Sequence, residues 1–206
     1  MNTFVEYPLT KQCLANRSLI YGIGINDAPY KTRYRENDKY LRCPYYTAWC
    51  GMLTRCYSHK YHLKQSTYRN STVCHEWLTF INFKLWMQTQ PWENNALDKD
   101  IIQPNNQLYS PNTCCFIPQS LNNILGSHEK ARGRYPQGVS FHRSNQKYKA
   151  RISINNKSVH LGLYKTIQEA ETAYKKAKQN ILIKAAYNQT NPKLTKGLLL
   201  HAAIFS

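Results

Sequence analysis

The 206 residues include 28 Lys/Arg against 11 Asp/Glu, a formal charge of +17, and could make one domain or two small ones. No apolar run approaches the ~20 residues of a membrane helix, and the opening Met1-Asn-Thr-Phe-Val-Glu6 has no basic segment leading into an apolar core, so neither a membrane span nor a secretory signal is expected. Seven cysteines without a close CxxC pair are unlike a secreted disulfide scaffold; a reducing, intracellular setting and a polyanionic partner are expected, with no small-molecule cofactor.

Residues 1–42 read as an irregular segment interrupted by Gly22, Gly24 and Pro29. Cys43-Pro44 opens a helix with Tyr45, Trp49, Met52, Leu53 and Cys56 at helical spacing. A polar connection over 58–71 leads to a second helix over 73–90, expected to bury Trp77, Phe80, Ile81 and Leu85 and to end at Pro91. Residues 97–101 read as a strand, 104–107 as a turn and 113–117 as a second strand, with Cys114 and Cys115 on opposite faces. Pro118 suits the first turn of a helix through Leu121, Asn122 and Leu125. Residues 126–136 have no hydrophobic period and form a basic linker, in which Lys130, Arg132 and Arg134 can track phosphate.

Three strands follow, over 138–143, 147–153 and 158–162, with turn residues at Asn145-Gln146 and Asn155-Asn156. Thr166 and Glu169 stand at capping-box spacing and open a helix whose expected inner face is Ile167, Ala170, Tyr174, Ala177 and Ile181. A sheet packed on one helix leaves its other face open, and that face should carry Arg151 and His160. Thirteen Lys/Arg and three Asp/Glu fall between residues 126 and 186, so the open face belongs to the most basic part of the chain. Such a face suits a nucleic-acid backbone. Residues 188–206 read as a tail.

The segment 137–187 resembles an AP2-type DNA-binding domain, through Gly138-Val139, Tyr148-x-Ala150-x-Ile152, His160-Leu-Gly162, Tyr164-x-Thr166, Glu169-Ala170 and Ala173-Tyr174. The resemblance implies a three-stranded sheet laid in the major groove of double-stranded DNA. Its groove-facing positions fall on Ser140, His142, Arg151, Ser153, Ser158 and His160, several of them smaller or more neutral than in plant members. Arg143, Lys147, Lys149 and Lys157 lie in or beside the turns, where phosphate contacts are the expected role.

Residues 43–125 resemble the HNH nucleases of phage type. The strand, loop, strand and helix over 97–122 are similar to their ββα-metal core, and Trp49-x-x-Met-Leu-x-Arg-Cys56 and Cys74-x-Glu-Trp77 to their lead-in helices. The implied fold class is α+β: a helical lead-in and ββα core, then a separate AP2-like sheet on one helix. By position the resemblance puts a divalent cation such as Mg2+ on Asp98 and Asn122, and the general base on Lys99, with Asp100 beside it. A lysine of ordinary pKa near 10.4 is protonated at neutral pH and cannot take a proton from water. Three accounts stand: another base, with His75 and His128 nearest in sequence; metal-activated water with Lys99 holding phosphate charge; or a site that no longer cuts.

Cys43, Cys56, Cys74 and Cys114 come one from each predicted element and are either a structural zinc set, as some HNH proteins have, or buried core thiols. The implied function is a metal-dependent, homing-like DNA endonuclease of a phage, acting in the bacterial cytoplasm. The alternatives are a catalytically degenerate DNA-binding regulator or counter-defence protein, and an RNA-binding accessory protein.

Overall fold

The computed structural model describes residues 4–126, 133–155 and 157–205. In chain order the elements are α1 (Lys11–Ala15), β1 (Arg33–Glu36), β2 (Lys39–Arg42), α2 (Pro44–Tyr57), α3 (His59–Lys64), β3 (Thr72–Val73), α4 (Phe80–Gln88), β4 (Asn95–Asp98), β5 (Leu108–Tyr109), β6 (Cys115–Pro118), α5 (Gln119–Leu125), β7 (Val139–His142), β8 (Lys147–Ile154), β9 (Lys157–Tyr164), α6 (Ile167–Tyr187) and α7 (Pro192–Ala203). The chain is α+β, with small sheets, and no described helix is long and apolar enough to cross a membrane. Contacts divide it into two units, residues 1–93 with 105–116 and residues 94–104 with 117–206. The division falls inside the segment expected to fold as one nuclease domain over 43–125: β4 and α5 group with the C-terminal sheet.

In the first unit, α2 buries Trp49, Met52, Leu53 and Cys56, as its spacing predicts. The next helix differs from expectation. Residues 72–78 spend themselves on β3, paired parallel with β5, and on a 3-10 turn at His75–Leu78, so α4 starts only at Phe80. Its inner face is then Phe80, Phe83 and Met87, and Leu85 points outward at 58 % exposure. Trp49 donates its indole N–H to the Trp77 carbonyl at 2.7 Å, satisfying the one polar atom of a buried ring. Residues 1–42 are less irregular than expected: β1 and β2 form an antiparallel hairpin across Asn37 and Asp38, both at positive φ, the conformation that two-residue hairpin turns require.

In the second unit, β7, β8 and β9 form an antiparallel sheet in that order, and α6 packs on one face. Val139, Ala150 and Ala170 make the centre of the core, flanked by Tyr135, Tyr148, Leu161, Tyr164 and Ala173. The register slips between Ala150 and Arg151, where β9 contributes one extra residue, Leu161. That bulge lets Leu161 join the core while His160 stays opposite Arg151. The turns rest on Gln146 and Asn155, both left-handed; Asn156 lies outside the described residues.

The capping box of α6 forms as its residues predict, with the Thr166 hydroxyl accepting from the Glu169 amide and the Glu169 carboxylate from the Thr166 amide. The buried stripe is Ala170, Tyr174, Lys178, Leu182 and Ala186, at every fourth residue. From Ala177 on, the expected face is therefore off by one residue, and Lys178 is interior, its ammonium 4.5 Å from the centre of the Phe205 ring. The expected tail is in fact mostly helix: Asn191 caps α7 through the Lys193 and Leu194 amides, and Pro192 starts it. A Cβ on Gly197 would strike the Ile101 carbonyl, so α7 lies directly on the backbone that follows β4.

Candidate nucleic-acid interface

The outward face of the β7–β8–β9 sheet follows from strand alternation and register. Ala150 and Ile152 of β8 point into the core, so Lys149, Arg151 and Ser153 point away. Cross-strand partners continue that face: Ser140 opposite Lys149, His160 opposite Arg151, and Ser158 opposite Ser153. Arg151, Ser153, Ser158 and His160 are exposed, while Ser140, His142 and Lys149 are half-buried. His142 pairs with Lys147 at the end of the ladder, and its Nδ1 is buried without a hydrogen-bond partner among the described residues. Arg143, Lys147 and Lys157 are exposed at the turns. Lys130, Arg132 and His128 of the linker lie outside the described residues; Arg134 is exposed.

Among the described residues no carboxylate neutralises this face; Glu129 lies outside them. Glu169 is committed to the cap, and Glu171 pairs with Lys175 at 2.9 Å along α6. Among the described residues none of Arg143, Lys147, Lys149, Arg151 or Lys157 is in an ion pair. The outer strands of a three-stranded sheet are about 10 Å apart, and the major groove of B-DNA is about 12 Å wide.

The first strand of this segment ends at Asp98 instead of running through 97–101, the second lies at 115–118, and the two-residue β5 stands between them in sequence. β6 pairs with β4, and α5, which buries Leu121 and Ile124, packs against β4. Asn122 is half-buried on α5. The Asp98 carboxylate is turned back onto its own chain, its Oδ1 accepting from the amides of Asp100 and Ile101 at 2.8 Å each. Lys99 is buried and joined to the Asp100 carboxylate at 2.6 Å. Burial pushes the Asp100 carboxyl above its ordinary value, and the neighbouring ammonium only partly offsets this.

His201, near the end of α7, meets the Asp100 carbonyl through Nε2 at 3.2 Å, an approach between residues 101 positions apart. Sequence reasoning passed over it by taking 188–206 as tail, although Asn191-Pro192 is a helix-start signal. His75 is exposed on the 3-10 turn of the other unit.

Cys43, Cys56 and Cys114 are buried and Cys74 is half-buried, and the structure pairs no two of the cysteines in a disulfide. The Cys43 sulfur lies 3.7 Å from the Tyr30 hydroxyl. Burial pushes the Cys74 thiol up, against ionisation. Cys114 and Cys115, expected on opposite faces, are both buried. Among the described residues no group of three or more His, Cys, Asp or Glu side chains comes together in a way that could hold a metal ion.

Compared with family models, curated proteins and solved structures, the chain finds no match.

Proposed function

We propose that the protein binds double-stranded DNA through the outer face of its C-terminal sheet. The observation that carries this reading is a row of cations on an open β-surface that, among the described residues, meets no carboxylate and no ion-pair partner: Lys149 and Arg151 on the central strand, with Arg143, Lys147 and Lys157 at its turns. Arg151, Ser153, Ser158 and His160 take the base edges, and the turn cations take phosphates. The experiment is a gel shift with duplex DNA at fixed salt. Lys149→Ala with Arg151→Ala should abolish retention, and full retention by that variant removes the reading. A single-stranded RNA of equal length serves as competitor; preference for it would turn the reading to RNA.

A second reading adds metal-dependent cleavage. It is favoured by the order β4, β6, α5, which sets the helix of Asn122 against the strand of Asp98. Mg2+ or a similar cation would be held by the Asp98 carboxylate and the Asn122 side-chain oxygen, and would neutralise charge on the scissile phosphate. Lys99, buried against Asp100, is poorly placed as a base. Nicking of supercoiled plasmid with Mg2+ or Mn2+, lost with chelator, tests this reading. Without nicking, the protein is a DNA-binding regulatory or counter-defence factor that keeps the ββα fold as scaffold.

A further inference from the structure

The β1–β2 hairpin sets Arg33 directly opposite Arg42. Like charges facing one another across an antiparallel pair destabilise it, and neither guanidinium makes an ion pair or side-chain hydrogen bond among the described residues. The two side chains form one wall of a cavity of about 420 Å³ in the first unit, and Tyr46, Thr47, Cys50 and Thr54 of α2 form another. No carboxylate of the described residues lines it. Burial pushes the Tyr46 hydroxyl up to about 12 and raises the Cys50 thiol, so both stay neutral near pH 7 and the cavity keeps the full charge of its two arginines. Two guanidiniums converging on one space, with neutral hydroxyl and thiol groups behind them, match the oxygens of a doubly charged anion.

We infer that this cavity binds a phosphate group clasped between Arg33 and Arg42. Its volume falls within the ~300–1,000 Å³ of small-molecule sites, which admits a phosphate together with an attached sugar. The site stands on a different unit from the C-terminal sheet and does not depend on it. The phosphate has two sources, a nucleic-acid backbone or a free phosphate compound, and both offer the same oxygens to the clasp.

The test uses the full chain in two arms. In the first, thermal unfolding is followed with pyrophosphate and with sodium chloride at equal ionic strength, since any salt relieves repulsion between two arginines. Pyrophosphate should raise the midpoint beyond the chloride control. Arg33→Gln with Arg42→Gln should erase that difference, whereas Arg35→Gln with Lys39→Gln, which removes the same charge from the same hairpin, should retain it.

In the second arm, duplex DNA affinity is measured against salt. If the phosphate is the backbone's, Arg33→Gln with Arg42→Gln lowers the steepness of log K against log salt by about 0.9, the ~0.9 expected for the one phosphate the clasp holds. An unchanged slope beside a retained pyrophosphate effect assigns the clasp to free phosphate compounds. Should the glutamine variant fold poorly, Arg33→Lys with Arg42→Lys keeps the charge, loses the forked geometry and should show a weaker pyrophosphate effect. The inference is overturned if the wild type shows neither a pyrophosphate effect above chloride nor a slope change on substitution, or if the Arg35/Lys39 variant loses as much. Loss of DNA binding on Lys149→Ala with Arg151→Ala would leave the pyrophosphate arm untouched, so the two proposals fail separately.

Discussion

The ammonium of Lys99 meets the carboxylate of Asp100 at 2.6 Å, with the lysine side chain 6 % exposed and the aspartate 46 %. The partners are therefore unequal: one charge is interior and the other half in water. Removing one member of a buried pair costs about 3–5 kcal/mol because the other is left as an uncompensated buried charge, and Lys99→Met leaves only the half-hydrated Asp100. Half-exposure of Asp100 reduces that figure. Asp100→Ala should cost about 2–3 kcal/mol in urea unfolding and Lys99→Met less than about 1 kcal/mol. The opposite order would show that the aspartate, not the lysine, depends on the pair.

Asp100 also sets a pH dependence. Its carboxyl titrates above the ordinary 3.8 because burial opposes the charged form more than Lys99 supports it. The folded state thus holds this proton at pH values where the unfolded chain has released it. The resulting stability is fully present below 3.8 and is lost as pH rises through the raised value. Asp100→Asn removes the titration. The stability difference between wild type and Asp100→Asn should shift toward the variant as pH rises through that window, and a flat difference would rule the effect out.

Glu169 carries the opposite sign. The Thr166 amide, the Thr166 hydroxyl and the Lys165 amide hold its carboxyl below the ordinary 4.5. The stability it contributes is present above 4.5 and is lost as pH falls through the lowered value. Glu169→Gln should flatten that acid limb. Thr166→Ala breaks the other half of the box and should cost about 1 kcal/mol at neutral pH. Chemical denaturation of both variants at several pH values reads the two effects apart.

Asp98 has two possible duties, and two substitutions separate them. Its Oδ1 closes the turn onto Asp100 and Ile101 through two amides. Asparagine keeps that acceptor and drops the charge, whereas alanine drops both. Asp98→Ala should cost about 1–3 kcal/mol by leaving two backbone donors unmet, and Asp98→Asn much less. If the protein cleaves DNA, Asp98→Asn and Asn122→Ala should each abolish nicking with DNA affinity nearly intact. Nicking equal to wild type by either variant would remove that residue from the metal site.

How far these features can be read from sequence depends on whether their cause is local. Thr166 with Glu169, Gln146 and Asn155 at turns, and the α2 stripe of Trp49, Met52, Leu53 and Cys56 are all set by neighbours within a few positions, and they stand where spacing puts them. Leu85 was expected inside because α4 was expected to start near 73; the pairing of Thr72 and Val73 with Leu108 and Tyr109, more than thirty residues away, moves that start. The same limit hid His201, which reaches Asp100 only because Gly197 lets α7 lie on the Ile101 backbone. Lys178 is interior for a related reason: α7 and Phe205 cover a position that an isolated α6 would leave wet. The open sheet face was legible because period-2 alternation and one packed helix determine it without any distant contact.

Gly138 ties that fold to the proposed DNA face. It has φ +77, and a Cβ there would strike the Tyr174 ring and come within 2.7 Å of the Arg151 carbonyl. Its own carbonyl accepts from the Arg151 amide at 2.8 Å, so the backbone of the principal arginine is held by the residue that has no room for a side chain. Gly138→Ala combines left-handed strain of about 1–3 kcal/mol with over-packing of about 1–3 kcal/mol. It should lower stability by about 3 kcal/mol and displace Arg151 from the ladder. Adding Tyr174→Leu relieves the clash but not the strain, and should recover part of the stability. If the folded Gly138→Ala protein retains duplex DNA as wild type does, the position of the Arg151 backbone is not what aims its guanidinium at DNA.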